Sequence, residues 1–437
     1  MHSLRPFQII LLGVFFALAL GGVILFALFR GFSGGANQYG ASVEIWGTLS
    51  ERAFRDTVLA VSKTDEDFRV VSYVAKDPRT FQADLVAAVA EGRGPDAIVL
   101  PSDLLLSERA KLFPIPYETL PLRDIKDRYT LGAEIFALRD GLYGFPIAVD
   151  PLVMYWDRDL LASAGLAAPP TTWEAVVDQA VPALRRVSGT FAVDQAALAF
   201  GEYANVENAT ETILLLLLQA GSPLITEGED GRYSARINDA AVQTARRPAE
   251  AALDFYTQFA NPAGPLYTWN RSLPRDREAF LAEKLALYFG FGSEYPALRA
   301  GNANLNFDAA QVPQSAGATI KKGYGRFYAL SLLKTSDNFE GTYRALARLG
   351  DEANTEALAK ALGLAPATRT ALASPAGDPV AQTLYTAALT ARGFLNPAPA
   401  ATDGIMQTMI EDVTSGRVKV SEAAQDAADR FSQLFSR

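Results

Sequence analysis

The sequence predicts an α/β protein with two lobes, from three observations. Short β-type segments alternate with helical segments between residues 41 and 100, the pattern of βαβ units and a parallel sheet. Residues 143–149 form an extended apolar stretch, in which Pro146, and Pro151 just beyond it, fix the backbone and exclude a helix. After residue 30 there remain 407 residues, which is enough chain for two or three domains with cores of their own.

The first lobe is predicted from the alternation itself. Strands are expected at 42–46, 68–74 and 96–100, and helices at 51–61 and 78–90. Ligands of open α/β sheets bind beyond the carboxyl ends of the strands. The residues Trp46 and Thr48 after the first strand, and Asp103 after the third, are therefore candidate ligand contacts. Trp46 has the alternative of a packed aromatic at a strand end, and Asp103 that of a helix N-cap.

Residues 141–176 are interpreted as a passage between the lobes, in which a stiff strand leads into helices. Asp157 is a candidate N-cap and Gly165 a candidate left-handed C-terminal residue for a short helix. Thr171 and Glu174 have the spacing of a capping box for the next helix.

The second lobe is predicted to be more helical. We expect a buried helix at 209–221, which contains the run ILLLLL, and a long helix at 239–259 kinked at Pro248. A helix at 274–283 precedes a strand at 285–289, which is a candidate second crossing and is followed by a turn at Gly290 and Gly292. Strands are expected at 304–312 and 323–333, and helices from residue 338 to the end.

The first 40 residues are predicted to lie outside the lobes. Residues 7–29 carry no charge and are long enough to span a bilayer, so residues 1–30 are interpreted as a single-pass anchor at the cell membrane. The alternative is a cleaved signal peptide. Residues 31–40 are rich in glycine and are interpreted as a flexible spacer, with the main domain outside the cytoplasm.

Composition excludes several kinds of chemistry. Without residues 1–30 the chain carries 38 basic and 49 acidic residues, net −11, so nucleic acid is not an expected partner. The chain has no cysteine, and its single histidine is His2. Thiolate sites, Ser-His relays and ordinary zinc sites are therefore excluded, and no metal or cofactor is predicted.

Residues 141–176 resemble the extracellular solute-binding proteins of ABC importers, in the family that includes maltose-binding protein. The resemblance is carried by PIAVD at 146–150, WDRDL at 156–160 and PPTTWEAV at 169–176. It implies two α/β lobes of the type II periplasmic-binding-protein kind, joined by hinge crossings. The implied first lobe is 41–149 plus 294–330, and the second is 150–293 plus 331–437.

The resemblance also implies a binding protein and not an enzyme. A polar neutral ligand requires hydrogen-bonding groups and apolar faces. The predicted ligand contacts are Trp46, Thr48, Asp103, Asp150, Tyr155, Trp269, Gly292, Ser293, Tyr295 and Tyr328. Trp269 and Tyr328 have the alternative of core packing, and Asp150 that of a hinge carboxylate bonded to backbone amides. The turn at 292–295 departs from the Gly-x-Trp turn of sugar-binding relatives.

The predicted function is capture of a small polar solute, a carbohydrate, between the lobes and its delivery to the permease subunits of an ABC importer. One alternative is a glycoside hydrolase that uses a carboxylate pair such as Asp103 and Glu294. Another is a sensor ectodomain, which would need a partner receptor because only about six residues precede the predicted anchor.

Overall fold

The computed structural model describes residues 37–189, 191–239 and 246–435. The predicted anchor at 7–29 lies outside these ranges. None of the helices within them is long and apolar enough to cross a membrane.

The strands, numbered in chain order, are β1 (Val43–Gly47), β2 (Val71–Ala75), β3 (Ala97–Pro101), β4 (Ala137–Leu138), β5 (Gly141–Leu142), β6 (Phe145–Asp157), β7 (Arg186–Ser188), β8 (Ala192–Leu198), β9 (Leu224–Glu227), β10 (Tyr233–Arg236), β11 (Leu285–Phe291), β12 (Phe307–Ala310), β13 (Gly323–Leu332), β14 (Ala365–Pro366) and β15 (Ala391–Arg392).

The α-helices are α1 (Glu51–Ser62), α2 (Phe81–Ala90), α3 (Leu105–Glu108), α4 (Leu122–Arg128), α5 (Arg158–Ser163), α6 (Trp173–Ala175), α7 (Val181–Leu184), α8 (Ala209–Gln219), α9 (Pro248–Thr257), α10 (Asp276–Leu281), α11 (Tyr295–Gly301), α12 (Phe339–Leu349), α13 (Glu352–Leu362), α14 (Arg369–Ala373), α15 (Pro379–Thr390), α16 (Pro399–Thr414) and α17 (Val420–Phe435).

The main sheet runs through both lobes in the order β2-β1-β3-β13-β6-β11-β8-β7. In the first lobe, β1 lies between β2 and β3 and is parallel to both, as the alternation predicts. In the second lobe, β11 is parallel to β8 and antiparallel to β6. The α/β class is therefore confirmed.

Strand β6 is the passage between the lobes. Its first half pairs with β13, with Val149 opposite Phe327, and its second half pairs with β11, with Met154 opposite Phe289. It continues straight through Pro151, which lies opposite Gly325. The predicted stiff strand is thus eight residues longer at its carboxyl end than the pattern 143–149 indicates.

The predicted helix boundaries after β6 are confirmed to within one residue. The carboxylate of Asp157 accepts hydrogen bonds from the amides of Asp159 and Leu160, both at 2.9 Å, and caps α5. Gly165 has the left-handed φ of 77° that ends this helix. The next cap is Thr172 and not Thr171, because the Thr172 hydroxyl accepts from the amide of Ala175 at 3.1 Å.

The helix predicted at 209–221 is observed as α8 and is buried, as expected. The helix predicted at 239–259 differs from the prediction. It begins at Pro248 as α9, with proline in the first turn, where the missing N–H costs nothing. Residues 240–245 lie outside the described ranges.

The second crossing is β13 and not the strand predicted at 285–289. β11 pairs with the second half of β6 and with β8, so it lies wholly in the second lobe. β12 also pairs with that half of β6, with Ala309 opposite Tyr155. Residues 295–310 therefore belong to the second lobe, which corrects their predicted assignment to the first.

The segment 331–437 is divided between the lobes. Helices α12 and α13 pack on α1, β6 and β13, and their residues Ala345, Leu346 and Leu358 share a core with Val43 and Ile45 of β1. Within the described part of this segment, α16, α17 and Phe394 pack into the core of the second lobe. The prediction that the whole segment belongs to the second lobe is therefore wrong for residues 339–362.

The predicted spacer at 31–40 is shorter than expected. The side-chain amide of Asn37 donates to the backbone oxygen of Asp67 at 2.8 Å, and the Tyr39 ring packs edge-on against Phe68. The hydroxyl of Tyr39 also donates to the carboxylate of Asp65. Residues 37–40 are therefore part of the first lobe.

Candidate functional site

The carboxyl ends of the parallel strands form one edge of each lobe. In the first lobe β1, β2 and β3 end at Gly47, Ala75 and Pro101. In the second lobe β8 and β11 end at Leu198 and Phe291. Because ligands of open α/β sheets bind beyond such edges, the cleft between the two edges is the candidate site.

The turn after β1 is held by the hydroxyl of Tyr73, which lies 3.0 Å from both the amide nitrogen and the carbonyl oxygen of Leu49. A Cβ atom at Gly47 would lie 2.7 Å from that hydroxyl, so the turn closes only because glycine occupies this position. Thr48 follows directly and is half-buried. The structure thus places Thr48 beyond the strand end, at the first-lobe edge of the cleft.

The Trp46 ring is packed against neighbouring side chains, so it is not a free stacking surface for a ligand. Its indole N–H donates to the carboxylate of Glu44, and the ammonium of Lys76 lies 3.5 Å from the centroid of its ring. A solute can stack on this ring only if Lys76 moves aside. The arrangement agrees with the alternative of a packed aromatic at the strand end.

Asp103 lies in the 3₁₀ turn Ser102–Leu104, directly after β3. One of its carboxylate oxygens is 3.2 Å from Nε of Arg326, a residue of β13. The same guanidinium lies 3.4 Å from a carboxylate oxygen of Glu211, in the first turn of α8. Its carbon is also 4.8 Å from the centroid of the Phe291 ring. Arg326 therefore joins the first lobe to the second across the cleft.

The second carboxylate oxygen of Asp103 has no partner. Oδ1 is shielded from solvent and accepts no hydrogen bond from any residue in the described ranges. The side chain as a whole is 26% exposed. Asp103 does not cap the helical turn that follows, which removes the N-cap alternative. An acceptor in this state is stabilised by a hydroxyl or amine donor from a ligand.

A cavity of about 420 Å³ lies against the second-lobe wall. It is bordered by residues 203–207, by the first turn of α8 and by α16. Its polar lining combines carboxylates with hydroxyl, amide and guanidinium groups, contributed by Tyr203, Asn205, Glu207, Thr210, Glu211, Arg275, Asp403 and Gln407. Because Glu211 lines the cavity and also pairs with Arg326, the cavity adjoins the charged centre of the cleft.

The loop that borders this cavity is anchored by two buried polar residues. The carboxylate of Asp276 accepts from the amides of Glu207 and Arg277, at 3.0 and 2.9 Å. Burial raises the pKa of Asp276 to about 7, although these two amides act in the opposite direction. Asn205 accepts from the indole of Trp269 at 3.2 Å. Trp269 is 1% exposed and supports the loop, which agrees with the alternative of core packing.

Asp150 lies in the middle of β6 and is 1% exposed. Its carboxylate accepts from the backbone amide of Ser293 at 2.9 Å, which ties the passage between the lobes to the turn after β11. Burial raises the pKa of Asp150 to about 6, while the hydrogen bonds from Ser293 and the charge of Arg326 act to lower it. Asp150 is thus the hinge carboxylate of the alternative interpretation, and Ser293 is the exposed residue of this pair.

Tyr155 is completely buried, which corrects its prediction as a ligand contact. Its hydroxyl lies 2.8 Å from the carbonyl oxygen of Phe291, and its ring stacks between those of Tyr288 and Tyr295. Tyr295 is half-buried in this stack. The aromatic side chain of Tyr155 therefore belongs to the core, whereas Tyr295 also lines a cavity of about 180 Å³ that residues of α13 and α15 border.

Gly292 and Tyr328 are also buried. A Cβ atom at Gly292 would lie 2.7 Å from the side chain of Leu384, so this glycine permits close packing of α15 on the hinge. Tyr328 lies opposite Pro101 between β13 and β3, and burial raises its pKa to about 12. Tyr328 therefore leaves little surface for a solute, whereas Gly292 borders the same cavity as Tyr295.

Glu294, the predicted partner of Asp103 in a hydrolase, is occupied elsewhere. Its carboxylate accepts from the amide of Phe291 at 2.8 Å and from the side chain of Asn208 at 2.9 Å. It also pairs with Arg277 and accepts from the Tyr288 hydroxyl. We name these four side chains, Glu294, Arg277, Tyr288 and Asn208, the Glu294 cluster. Glu294 is 9% exposed and has no free oxygen to act on a glycosidic bond.

The polar residues of the cavity and Arg326 were not predicted, and the charged ones nearest the centre of the site are Arg326, Glu211 and Asp403. Arg326 is the only charge in the strand GYGRFYALSL, and a single charge in an otherwise buried strand was a signal that could have identified it. Glu211 carries no comparable signal, because acids in the first turns of helices are common for reasons of capping and dipole. Asp403 lies within a long helix, where a single acid is equally common.

Residues 62–383, well over half of the chain, match the family model described as bacterial extracellular solute-binding protein. No curated protein matches.

Several solved structures have the same fold. A cyclic α-maltosyl-1,6-maltose-binding protein from Arthrobacter globiformis has a TM-score of 0.73 and 16% identity, over 90% of this chain and 98% of that one. The sugar-binding protein MalE of Xanthomonas citri has a TM-score of 0.71 and 18% identity, over 90% and 97%. A solute-binding protein from Thermotoga lettingae bound to α-D-tagatose has a TM-score of 0.65 and 18% identity, over 91% and 100%.

Proposed function

Because the chain belongs to the family of bacterial extracellular solute-binding proteins, we propose that it captures a small carbohydrate in the cleft between its lobes. The observation that carries the choice of a carbohydrate is the excess of hydrogen-bond acceptors in the cleft. Asp103 offers an unpartnered oxygen, and Glu211 and Asp403 line the adjoining cavity. A sugar supplies many hydroxyl donors in a small volume, which such acceptors require.

The proposed contacts come from both walls. Thr48, Asp103 and Arg326 approach the solute from the first lobe and the hinge. Ser293 and the cavity residues around Glu211 approach it from the second. The ring of Phe291 beside Arg326 supplies an apolar face for sugar C–H groups. The fold neighbours, whose names refer to sugar binding, to cyclic α-maltosyl-1,6-maltose and to α-D-tagatose, agree with this class of solute.

We further propose that the receptor remains attached to the membrane through residues 7–29 and delivers its solute to an ABC permease. Since residues 37–40 pack on the first lobe, only residues 30–36 separate the anchor from the domain. Seven residues span at most about 25 Å when extended, which would hold the receptor close to a permease in the same membrane. Sequencing the amino terminus of the membrane-bound protein tests this, and a mature terminus near Gly31 would refute it.

Solute capture is tested by thermal unfolding in the presence of maltodextrins, cyclodextrins, monosaccharides and polyols. We expect solutes of one class to raise the melting temperature, because a ligand that binds only the folded protein stabilises it. Each additional 1.4 kcal/mol of binding free energy corresponds to about tenfold tighter binding. The bound solute should remain chemically intact by mass spectrometry. A panel without any shift would contradict a carbohydrate ligand. Appearance of hydrolysis products would instead revive the glycoside hydrolase, which the engaged Glu294 does not support.

A further inference from the structure

Arg326 has an unusual position for a charged residue. It lies in the middle of β13, opposite Asp150 of β6, where the two strands pass side by side between the lobes. Its side chain is nevertheless 30% exposed. The hinge therefore presents a permanent positive charge at the floor of the cleft, where an anionic solute could pair with it.

The surroundings of Arg326 contain more negative than positive charge. Asp103 and Glu211 both pair with this one guanidinium, from opposite lobes. Asp403 lines the adjoining cavity and forms no ion pair within the described ranges. The nearest cation of the cavity lining, Arg275, lies 3.9 Å from Glu207. An anion that approaches Arg326 must therefore displace a carboxylate or lie beside one.

We propose that Arg326 is a specificity-determining residue of the cleft, whose positive charge is masked by Asp103 and Glu211 so that the site accepts neutral hydroxyl-bearing solutes and rejects anionic ones. This inference rests on the proposed solute cleft and narrows its ligand class. A neutral sugar can donate hydroxyl hydrogens to the two carboxylates without breaking either ion pair. A sugar phosphate competes with both carboxylates for the same guanidinium. The chain thus selects against anions although an arginine lies at the centre of its site.

The experiment removes the mask and measures anion binding with inorganic phosphate as the probe. Thermal unfolding at pH 7.5 is recorded in 10 mM phosphate and in sodium chloride of equal ionic strength. We expect no difference for the wild type. We expect the variant D103N/E211Q to be stabilised by phosphate by about 2 °C or more, because its guanidinium is then free to bind the anion. The single variant E211Q should show part of this gain.

Two controls assign the effect to Arg326. The variant D103N/E211Q/R326M should lose the phosphate stabilisation. The variant E118Q/E422Q removes the same two charges at exposed positions and should behave as the wild type. Circular dichroism and the melting temperature in chloride establish that each variant is folded.

The inference is overturned if phosphate stabilises the wild type as much as D103N/E211Q, if the unmasked variants gain nothing, or if R326M leaves the gain intact. Its failure is separable from that of the proposed function. A sugar panel without binding would refute carbohydrate capture whatever the phosphate result. Strong phosphate binding by the wild type would refute the masking of Arg326 by the two carboxylates, but it would not contradict a solute receptor.

Discussion

The Glu294 cluster and the charged centre of the cleft are both built from carboxylates and an arginine, yet they differ in how far their bonding is complete. In the Glu294 cluster, both carboxylate oxygens accept hydrogen bonds from within the second lobe. In the centre of the cleft, Asp103 and Glu211 reach Arg326 from different lobes, and one oxygen of Asp103 has no partner among the residues that the structure describes.

This difference distinguishes a cluster that supports the local structure from one that is able to bind a ligand. A complete buried network fixes local geometry, and losing one member leaves the others uncompensated. An incomplete and partly exposed network can still accept a partner at little cost. The Glu294 cluster therefore holds the turn after β11, and the charged centre is the part of the cleft that we propose to hold the solute. Variants in the first should change stability, and variants in the second should change affinity.

The largest effect is expected for Glu294→Ala. The change leaves Arg277, the Tyr288 hydroxyl and the Phe291 amide without their acceptor in a buried position. We expect a loss of about 3–5 kcal/mol in the free energy of unfolding, measured by urea denaturation. The matched control is E340A, which breaks the exposed pair with Arg344 and should cost no more than about 0.5 kcal/mol. Equal losses in the two variants would contradict a supporting role for Glu294.

The next effect concerns pH and the hinge. The pKa of Asp150 is raised to about 6 from the ordinary 3.8, so the native protein holds a proton that the unfolded chain releases between these values. The stability from this carboxyl is complete below pH 4 and is lost as the pH rises through 6. Asp150→Asn keeps an acceptor for the Ser293 amide and removes the titration. The free energy of unfolding of D150N minus that of wild type should therefore be about 2 kcal/mol larger at pH 7 than at pH 4.

Urea denaturation at pH 4 and pH 7 measures this gain. Asp276, whose pKa is raised to about 7, is present in both proteins and cancels from the difference. A stability difference that is the same at the two pH values would show that Asp150 titrates as an exposed carboxylate does.

Asp103→Ala tests the other side of the comparison. It removes the proposed acceptor for the solute, and hydrogen bonds to charged groups contribute about 1.5–3 kcal/mol. We expect the affinity for the sugar identified in the panel to fall about 10- to 100-fold by calorimetry, with stability changed by less than about 1 kcal/mol. A variant that binds as tightly as wild type would exclude Asp103 from the site.

The sequence was sufficient for the fold class and for the family, which the family match confirms. Both depend on local signals: alternation of strands and helices, the proline-bounded strand and the capping residues of α5. The assignment of segments to lobes was less successful. Whether β12 pairs with the first or the second half of β6 is decided by contacts between distant residues, which no local pattern records.

Candidate site residues could be predicted from the sequence only at positions that the α/β topology places at the carboxyl ends of strands. Thr48 and Asp103 were predicted because they follow the carboxyl ends of β1 and β3, and the structure places both at that edge. Tyr155 and Trp269 were identified by residue type, and aromatic side chains are equally common in cores and in binding sites. Arg326 was missed because its importance comes from two carboxylates that are 223 and 115 residues away along the chain.

The smallest effect is expected for Tyr155→Phe, and it separates core from cleft most directly. The change removes one buried hydroxyl, whose oxygen lies 2.8 Å from the carbonyl of Phe291, and keeps the ring stacked between Tyr288 and Tyr295. We expect a loss of about 1 kcal/mol in the free energy of unfolding, the ordinary contribution of one neutral hydrogen bond. Solute affinity should stay within about twofold of wild type, because the ring and hydroxyl are enclosed by β11 and α11 and do not reach the cleft. Calorimetry alongside D103A distinguishes the two roles: a tenfold loss of affinity in Y155F without a loss of stability would return Tyr155 to the set of solute contacts.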